Sequence, residues 1–270
     1  MNTKNKIRWV MHGALGRMGR QILAGALSDS DLCLAGAIES KESALLGQDV
    51  GLLLGQQALG VKISADLSDL KDRADVVIDF SGVQAALSVG EWCAKLKIPL
   101  VVGTTGFSED EDRRLRDLMK GTVLVKAPNM SVGVNVLFKL VKEAAKILGR
   151  EYDIEIIEAH HRMKKDAPSG TAKGILEAIV SGLNKNMDVV SGREGLVGER
   201  RNNEIGVFAV RAGDIVGDHT VLMAGHGERL ELIHRAHNRE PFASGALRAA
   251  KFAVKAKPGF YNMQDVLGIQ

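Results

Sequence analysis

Cysteine is scarce in this sequence: two residues in 270, Cys33 and Cys93. They stand far apart, each in an apolar segment, with no C-x-x-C and no Cys/His spacing of the kind that holds zinc. Neither a disulfide framework nor a metal site is therefore expected, and the reading is two small buried thiols in a reducing compartment. Excess charge is also missing. Lys plus Arg less Asp plus Glu is 36 − 33 = +3, too small and too interspersed to argue for a nucleic-acid or membrane surface. No apolar stretch approaches the roughly 18 residues of a spanning helix. The run after Lys4, Lys6 and Arg8 stops at His12-Gly13, before the apolar core of a signal peptide could form. The expected compartment is cytoplasmic. There is no internal repeat or low-complexity tract.

With 45% hydrophobic and 26% charged residues, what remains has the balance of a soluble globular chain, long enough for one large or two ordinary domains. Its organising stretch is Glu158 to Lys173, E-A-H-H-R-M-K-K-D-A-P-S-G-T-A-K. Tyr152, Ile154, Ile156 and Glu158 alternate with Asp153, Glu155, Ile157 and Ala159, which predicts a strand ending near the histidines. Asp166-Ala-Pro168 then breaks regular structure. Ser169 suits a helix N-cap, and the N–H groups of Gly170 and Thr171 share the positive end of that helix, which makes an anion site. Taken alone, the basic run His160 to Lys165 also fits a solvated loop. A nucleic-acid patch is the weaker alternative, because no aromatic residue stands between Met163 and Thr171 for a base to stack on.

At the other end, Ile7 to Met11 reads as a strand, followed by the turn Gly13, Ala14, Leu15, Gly16, Arg17, Met18, Gly19 and a helix through Leu27. Such a turn lets the backbone approach a pyrophosphate at the helix start. Leu32 to Ile38 reads as the next strand. Glu39 closes it 39 − 19 = 20 residues after the last glycine, where an acid can accept hydrogen bonds from a ribose diol. Residues 40–60 show no firm period and read as loop with at most a short helix. A strand over 74–80, a helix over 85–96 and a strand over 99–102 continue the alternation of a doubly wound parallel sheet. Ligands in such sheets sit beyond the carboxyl ends of strands, where Gly103, Thr104 and Thr105, and Ala127, Pro128, Asn129 and Met130, fall. From Val132 a long amphipathic helix opens a second domain, with Val136, Leu137, Leu140, Val141, Ala144 and Leu148 expected on its buried face. Late strands at 205–211, 219–224 and 229–236 suggest an open, mostly antiparallel sheet. The fold class is α/β: a Rossmann-like doubly wound parallel sheet domain plus an α+β domain.

The run E-A-H-H-R-x-K-x-D-A-P-S-G-T-A resembles the 4-hydroxy-tetrahydrodipicolinate reductase family, formerly called dihydrodipicolinate reductase. The resemblance extends through G-A-L-G-R-M-G at Gly13 to Gly19, G-T-T-G-F at Gly103 to Phe107, S-V-G-V-N-V at Ser131 to Val136 and R-A-G-D-I-V-G at Arg211 to Gly217. It implies reduction of a small-molecule dicarboxylate by NADH or NADPH in lysine and diaminopimelate synthesis. Lys164 matches the family's proton donor and His160 its second acid/base residue, while His161, Gly170 and Thr171 match positions that hold substrate carboxylates. It further implies a dinucleotide-binding domain of residues 1–130 and 240–270, a substrate-binding and oligomerisation domain of residues 131–239, and a homotetramer. Where several family members place Arg directly after the ribose-binding acid, this chain has Ser40. Two alternatives are an aspartate dehydrogenase-like reductase, for which the H-H-R-x-K-x-D-A-P-S-G-T run has no reason, and a non-catalytic dinucleotide-binding redox sensor, which has no need of Lys164 beside an anion site.

Overall fold

The computed structural model describes residues 6–70 and 73–269; Lys4 lies outside them. The chain divides into two compact units, residues 1–131 with 240–270, and residues 132–239. The first unit begins with β1 (Ile7–His12), α1 (Arg17–Ala26), β2 (Leu32–Ile38), α2 (Val50–Leu53), β3 (Ile63–Ser64), β4 (Val76–Asp79), α3 (Val83–Leu96), β5 (Leu100–Val102), α4 (Glu109–Leu118) and β6 (Val123–Lys126). The second unit holds α5 (Val132–Leu148), β7 (Asp153–His160), α6 (Gly170–Leu183), β8 (Asp188–Val190), β9 (Glu204–Arg211), β10 (Gly217–Gly225) and β11 (Glu228–Ala236). The chain then returns to the first unit as α7 (Glu240–Ala253), β12 (Gly259–Tyr261) and α8 (Met263–Leu267). Among the described residues no helix is long and apolar enough to cross a membrane.

The seven strands of the first unit run in the order β12-β6-β5-β4-β1-β2-β3, all neighbours parallel. Both faces are covered, so the strands are nearly continuous apolar runs. Trp9 and Met11 pack on one side with α1 and α7, and Val10 on the other with α3. In α1 the buried residues Gly19, Ile22, Leu23 and Ala26 recur at the spacing of a single helical face. Cys93 is buried, as expected, but Cys33 is exposed. The reason lies at the sheet edge: β3 pairs only with Ala37 and Ile38, which leaves the start of β2 uncovered on that side.

The five strands of the second unit run β11-β10-β7-β9-β8. The sheet is mixed rather than mostly antiparallel. β10 is antiparallel to β11 and β7, while β9 is parallel to β7 and β8. After β7 the chain crosses through α6 and re-enters in the same direction, which a hairpin reading of the late strands does not anticipate. One face is covered by α5 and α6, with Ile154, Ile156, Val207, Val221 and Met223 beneath Val141, Ile175 and Ile179. The buried stripe of α5 is Val134, Leu137, Phe138, Val141 and Ala145. Val136 and Leu140, expected on that stripe, are 39% and 49% exposed. The stripe is centred instead where Phe138 meets Gly174 of α6.

Two helical glycines separate packing from propensity. A Cβ on Gly245 in α7 would lie 1.8 Å from the Met130 carbonyl oxygen, whereas one on Gly25 in α1 would meet only Leu247 at an ordinary 3.8 Å. Alanine gains up to about 1 kcal/mol over glycine in a helix interior, and overpacking against backbone costs about 1–3 kcal/mol. Gly245→Ala is therefore expected to lower stability by about 1–2 kcal/mol and Gly25→Ala to be neutral or slightly stabilising. Thermal melts of both variants check this, and a Gly245→Ala protein as stable as the parent would contradict the packing argument.

Candidate functional site

In the first unit, Gly13 follows β1 with φ +79°, and a Cβ there would lie 2.5 Å from the Phe80 carbonyl oxygen. On Gly19 it would lie 2.1 Å from the Gly13 carbonyl oxygen. Those two glycines are required by the protein's own packing. Gly16 is different, because its nearest neighbour would be at an unstrained 3.4 Å. It N-caps α1 without a side-chain hydrogen bond, so its bare backbone leaves room for a ligand at the helix start. The Glu39 carboxylate accepts from Leu15 N at 2.8 Å and Ser40 N at 2.9 Å, which ties it to the same turn. A cleft of about 570 Å³ opens here, with Gly13, Gly16, Glu39, Ser40 and Lys41 on one side and Ser81 and Gly82 on the other. Its size and its uncapped helix start fit the nucleotide half of a dinucleotide.

The other expected cofactor residues occupy strand ends of this sheet. A Cβ on Gly103 would enter the Phe80 ring at 2.1 Å, so this glycine too answers a packing demand. Thr105 and Pro128 are exposed. Asn129 accepts from Ser131 N at 2.8 Å. Ala14, Ala127 and Met130 are buried in the core, and the partly buried Leu15 and Met18 pack against it. Arg17 is exposed at the start of α1.

Thr104 leads to residues that sequence reasoning missed. Its hydroxyl donates to Asp79 Oδ2 at 2.6 Å and accepts from Ser81 N at 3.0 Å. Asp79, fully buried at the end of β4, also accepts from Ser81 Oγ at 2.6 Å and lies 2.6 Å from His12 Nδ1. A polar residue closing each of two apolar strands was the available signal.

In the second unit, β7 points Ile154, Ile156, Glu158 and His160 inward. Glu158 is fully buried. It accepts a bidentate pair from Arg211 at 2.8 and 2.9 Å, Ser169 N at 3.0 Å, and His160 Nδ1 at 2.5 Å. Burial alone would raise this carboxyl, but the hydrogen bonds from Arg211 and His160 outweigh it and hold it below the usual range. An ionised carboxylate is acceptor-only, so His160 donates through Nδ1 and keeps Nε2 for other work. Burial pulls the His160 imidazole down; Glu158 opposes this, and the charge of Lys164 adds to the lowering. Lys164 sits in a turn closed by its N–H on the His161 carbonyl at 3.0 Å, with Nζ 2.9 Å from Asp166 Oδ1. Lys165 is exposed.

Ser169 caps α6, its Oγ accepting from Ala172 N at 3.1 Å. Gly170 beside it is exposed, while Thr171 is buried. The Ser169 hydroxyl also lies 3.2 Å from Nε2 of the buried His219, whose ring meets His160 edge to face at 5.3 Å. The structure thus gathers His160, His161, Lys164, Gly170 and Thr171 around one turn and helix start. Glu158, Arg211 and His219, given no role from sequence, hold that group together. The inward phase of Glu158 on an apolar strand face was the signal for the first of them.

A nucleotide-sized cleft at a glycine turn on one unit, and a group able to move protons on the other, make this a nicotinamide-dependent oxidoreductase of the two-unit kind. The chain belongs to the dihydrodipicolinate reductase family: residues 7–130 match the model of its N-terminus and residues 133–267 that of its C-terminus. The 4-hydroxy-tetrahydrodipicolinate reductase of Syntrophus aciditrophicus (strain SB) is 47% identical over 266 residues, covering 98% of this chain and 99% of the relative. That of Methanothermobacter thermautotrophicus is 49% identical over 273 residues, covering 97% and 99%. In fold the chain is similar to a dipicolinate-bound dihydrodipicolinate reductase from Paenisporosarcina sp. TG-14, with a TM-score of 0.75 at 22% identity over 96% of this chain and 98% of that one.

Burial lowers the His219 pKa to about 3 from an ordinary 6.5, with the charge of His160 adding to the effect. As pH falls, the unfolded chain takes up this proton near 6.5 and the folded chain only near 3. The associated stability is complete above about pH 6.5 and is lost below it, at up to ~1.4 kcal/mol per pH unit. Glu158, lowered from 4.5, contributes its own loss only below about pH 4.5. Between pH 7 and 5 stability is expected to drop by about 2 kcal/mol through His219. Melts across that range should show a shallower fall for His219→Gln than for the parent, and equal slopes would contradict the assignment.

Proposed function

We propose that the chain catalyses the NAD(P)H-dependent reduction of 4-hydroxy-2,3,4,5-tetrahydrodipicolinate to 2,3,4,5-tetrahydrodipicolinate in lysine and diaminopimelate synthesis. The observation that carries this reading is the second unit's Glu158–His160–Lys164 group beside the Ser169-capped start of α6, in a chain whose relatives near 47% identity bear that name. The first unit, with its glycine turn and Glu39, takes the dinucleotide, and the second takes the substrate. Gly13 to Met18, Glu39, Gly103 to Thr105 and Ala127 to Met130 form the cofactor side; His161, Gly170 and Thr171 hold the substrate carboxylates. The bound nicotinamide supplies hydride.

The chain's own task is to manage charge and protons. Water leaves from C4 of the substrate and hydride arrives at that carbon, so the ring gains electron density and must then gain a proton. Lys164 donates it. Asp166 and the His161 carbonyl hold Lys164 in its turn, and His160, locked through Nδ1 by Glu158, presents Nε2 as the second acid/base group. The helix start beyond Ser169 attracts the substrate's carboxylates. The exposed apolar residues Ile157, Val210, Leu230 and Ile233 on β7, β9 and β11 support a homotetramer joined through the second unit's sheet. The compartment we assign is the cytoplasm. The discriminating assay follows dinucleotide oxidation with freshly prepared 4-hydroxy-tetrahydrodipicolinate, against pyruvate or oxaloacetate with ammonia; turnover only with the keto acids would overturn the reading.

On cofactor choice, Glu39 repels a 2′-phosphate and Ser40 brings no charge to offset it, with Arg17 and Lys41 the nearby cations. NADH is therefore expected to serve at least as well as NADPH. Comparing kcat/KM for the two settles this: a tenfold preference for NADPH would refute it, and Ser40→Arg should move the ratio toward NADPH.

Lys164→Ala is expected to lower kcat by about 10²- to 10⁴-fold, the usual cost of losing a general acid, with dinucleotide affinity unchanged. The exposed Lys165 provides the control. Steady-state kinetics of both variants, with cofactor binding titrated separately, test the assignment; equal damage from Lys165→Ala, or a Lys164→Ala defect confined to NADH affinity, would sink it.

A further inference from the structure

His12 has no part in the reading above. It closes β1 immediately before the glycine turn, lines the 570 Å³ cleft, and its side chain is 12% exposed. Asp79 faces it from the end of β4 with both carboxylate oxygens already engaged, Oδ1 by Ser81 Oγ and Oδ2 by Thr104 Oγ1, each at 2.6 Å. A carboxylate between two hydroxyl donors offers only lone pairs, so the 2.6 Å contact to His12 is donated by Nδ1. That contact fixes the ring. Nε2 is the remaining polar edge, and it has no partner among the described residues. The rest of the cleft pairs an apolar slot, bordered by Ile38, Ala65, Leu67, Ala85 and Val89, with Glu39. An apolar slot flanked by an acid suits a purine and its ribose.

We propose that His12 is a cofactor-binding residue of this cleft, clamped by Asp79 so that Nε2 makes a fixed hydrogen bond to the adenosine half of the dinucleotide, across from Glu39. The proposal rests on the dinucleotide reading of the first unit. Because the clamp holds the ring before a ligand arrives, ordering it adds little to the cost of binding. The nicotinamide half has no share in the contact.

Two substitutions separate this role from a structural one. His12→Ala removes both ring nitrogens, whereas His12→Asn keeps a donor where Nδ1 meets Asp79 and removes only the outer edge. Dissociation constants for NADH and ADP-ribose are measured with the intact protein and both variants. The expected result is a rise of about three- to tenfold, the loss typical of one hydrogen bond, of the same size for both ligands and for both variants. Parental affinity in His12→Asn would show that His12 merely satisfies Asp79 and would overturn the proposal. So would a defect toward NADH that ADP-ribose does not share. A parent protein that binds neither ligand would overturn the dinucleotide reading itself, and this inference with it.

Discussion

The second unit is built around one buried charge. Moving a carboxylate out of water costs several kcal/mol even after relaxation, and Glu158 is fully buried. Its partners come from three segments: Arg211 at the end of β9, His160 at the end of β7, and Ser169 N at the start of α6. Arg211 also donates to the Asp166 carbonyl at 2.7 Å. A single carboxylate therefore fixes both ends of the turn that carries Lys164. An apolar side chain of similar volume could fill the space at comparable stability, but it would leave His160 free to present either nitrogen.

The first unit reaches the same solution independently. Asp79, also fully buried at a strand end, takes an imidazole Nδ1 at 2.6 Å, as Glu158 does at 2.5 Å. In each case an acceptor-only partner decides which ring nitrogen faces outward. The two differ in their counter-charge: Glu158 has a guanidinium in bidentate contact, whereas Asp79 is satisfied by two hydroxyls. Strand ends suit such groups because the ladder stops there and the last side chains reach past the core.

These patterns explain what could be read in advance. Buried parallel strands appear as apolar runs, and their alternation with helices announced the first sheet. Strand direction leaves no such mark, so the parallel pairing of β7 with β9 was hidden, and three residues of β8 are too few to display a period. The stripe of α5 was misphased because Val136 and Leu140 are as apolar as their buried neighbours; only contact with α6 distinguishes them. In the candidate site, the Ser169 cap and the basic turn were legible from residue type. Arg211 lies 53 residues from Glu158, and His12 lies 67 from Asp79. Nothing local to either sequence position announces a partner that far away.

The return of the chain to the first unit bears on the order of synthesis. Ala243, Ala246, Leu247, Ala250 and Ala253 of α7 share a core with Trp9, Met11 and Ile22, and β12 pairs along β6 from Gly259↔Val123 to Tyr261↔Val125. Until residues 240–270 leave the ribosome, one face of the parallel sheet has only α1 to cover it and β6 remains an edge. Residues 132–239, contiguous in sequence, are complete earlier and are free to fold while the residues before them wait. A nascent chain that stalls before α7 thus presents the part of an apolar sheet face that α7 would cover and an open strand edge, the surfaces on which chaperones act and from which aggregation begins.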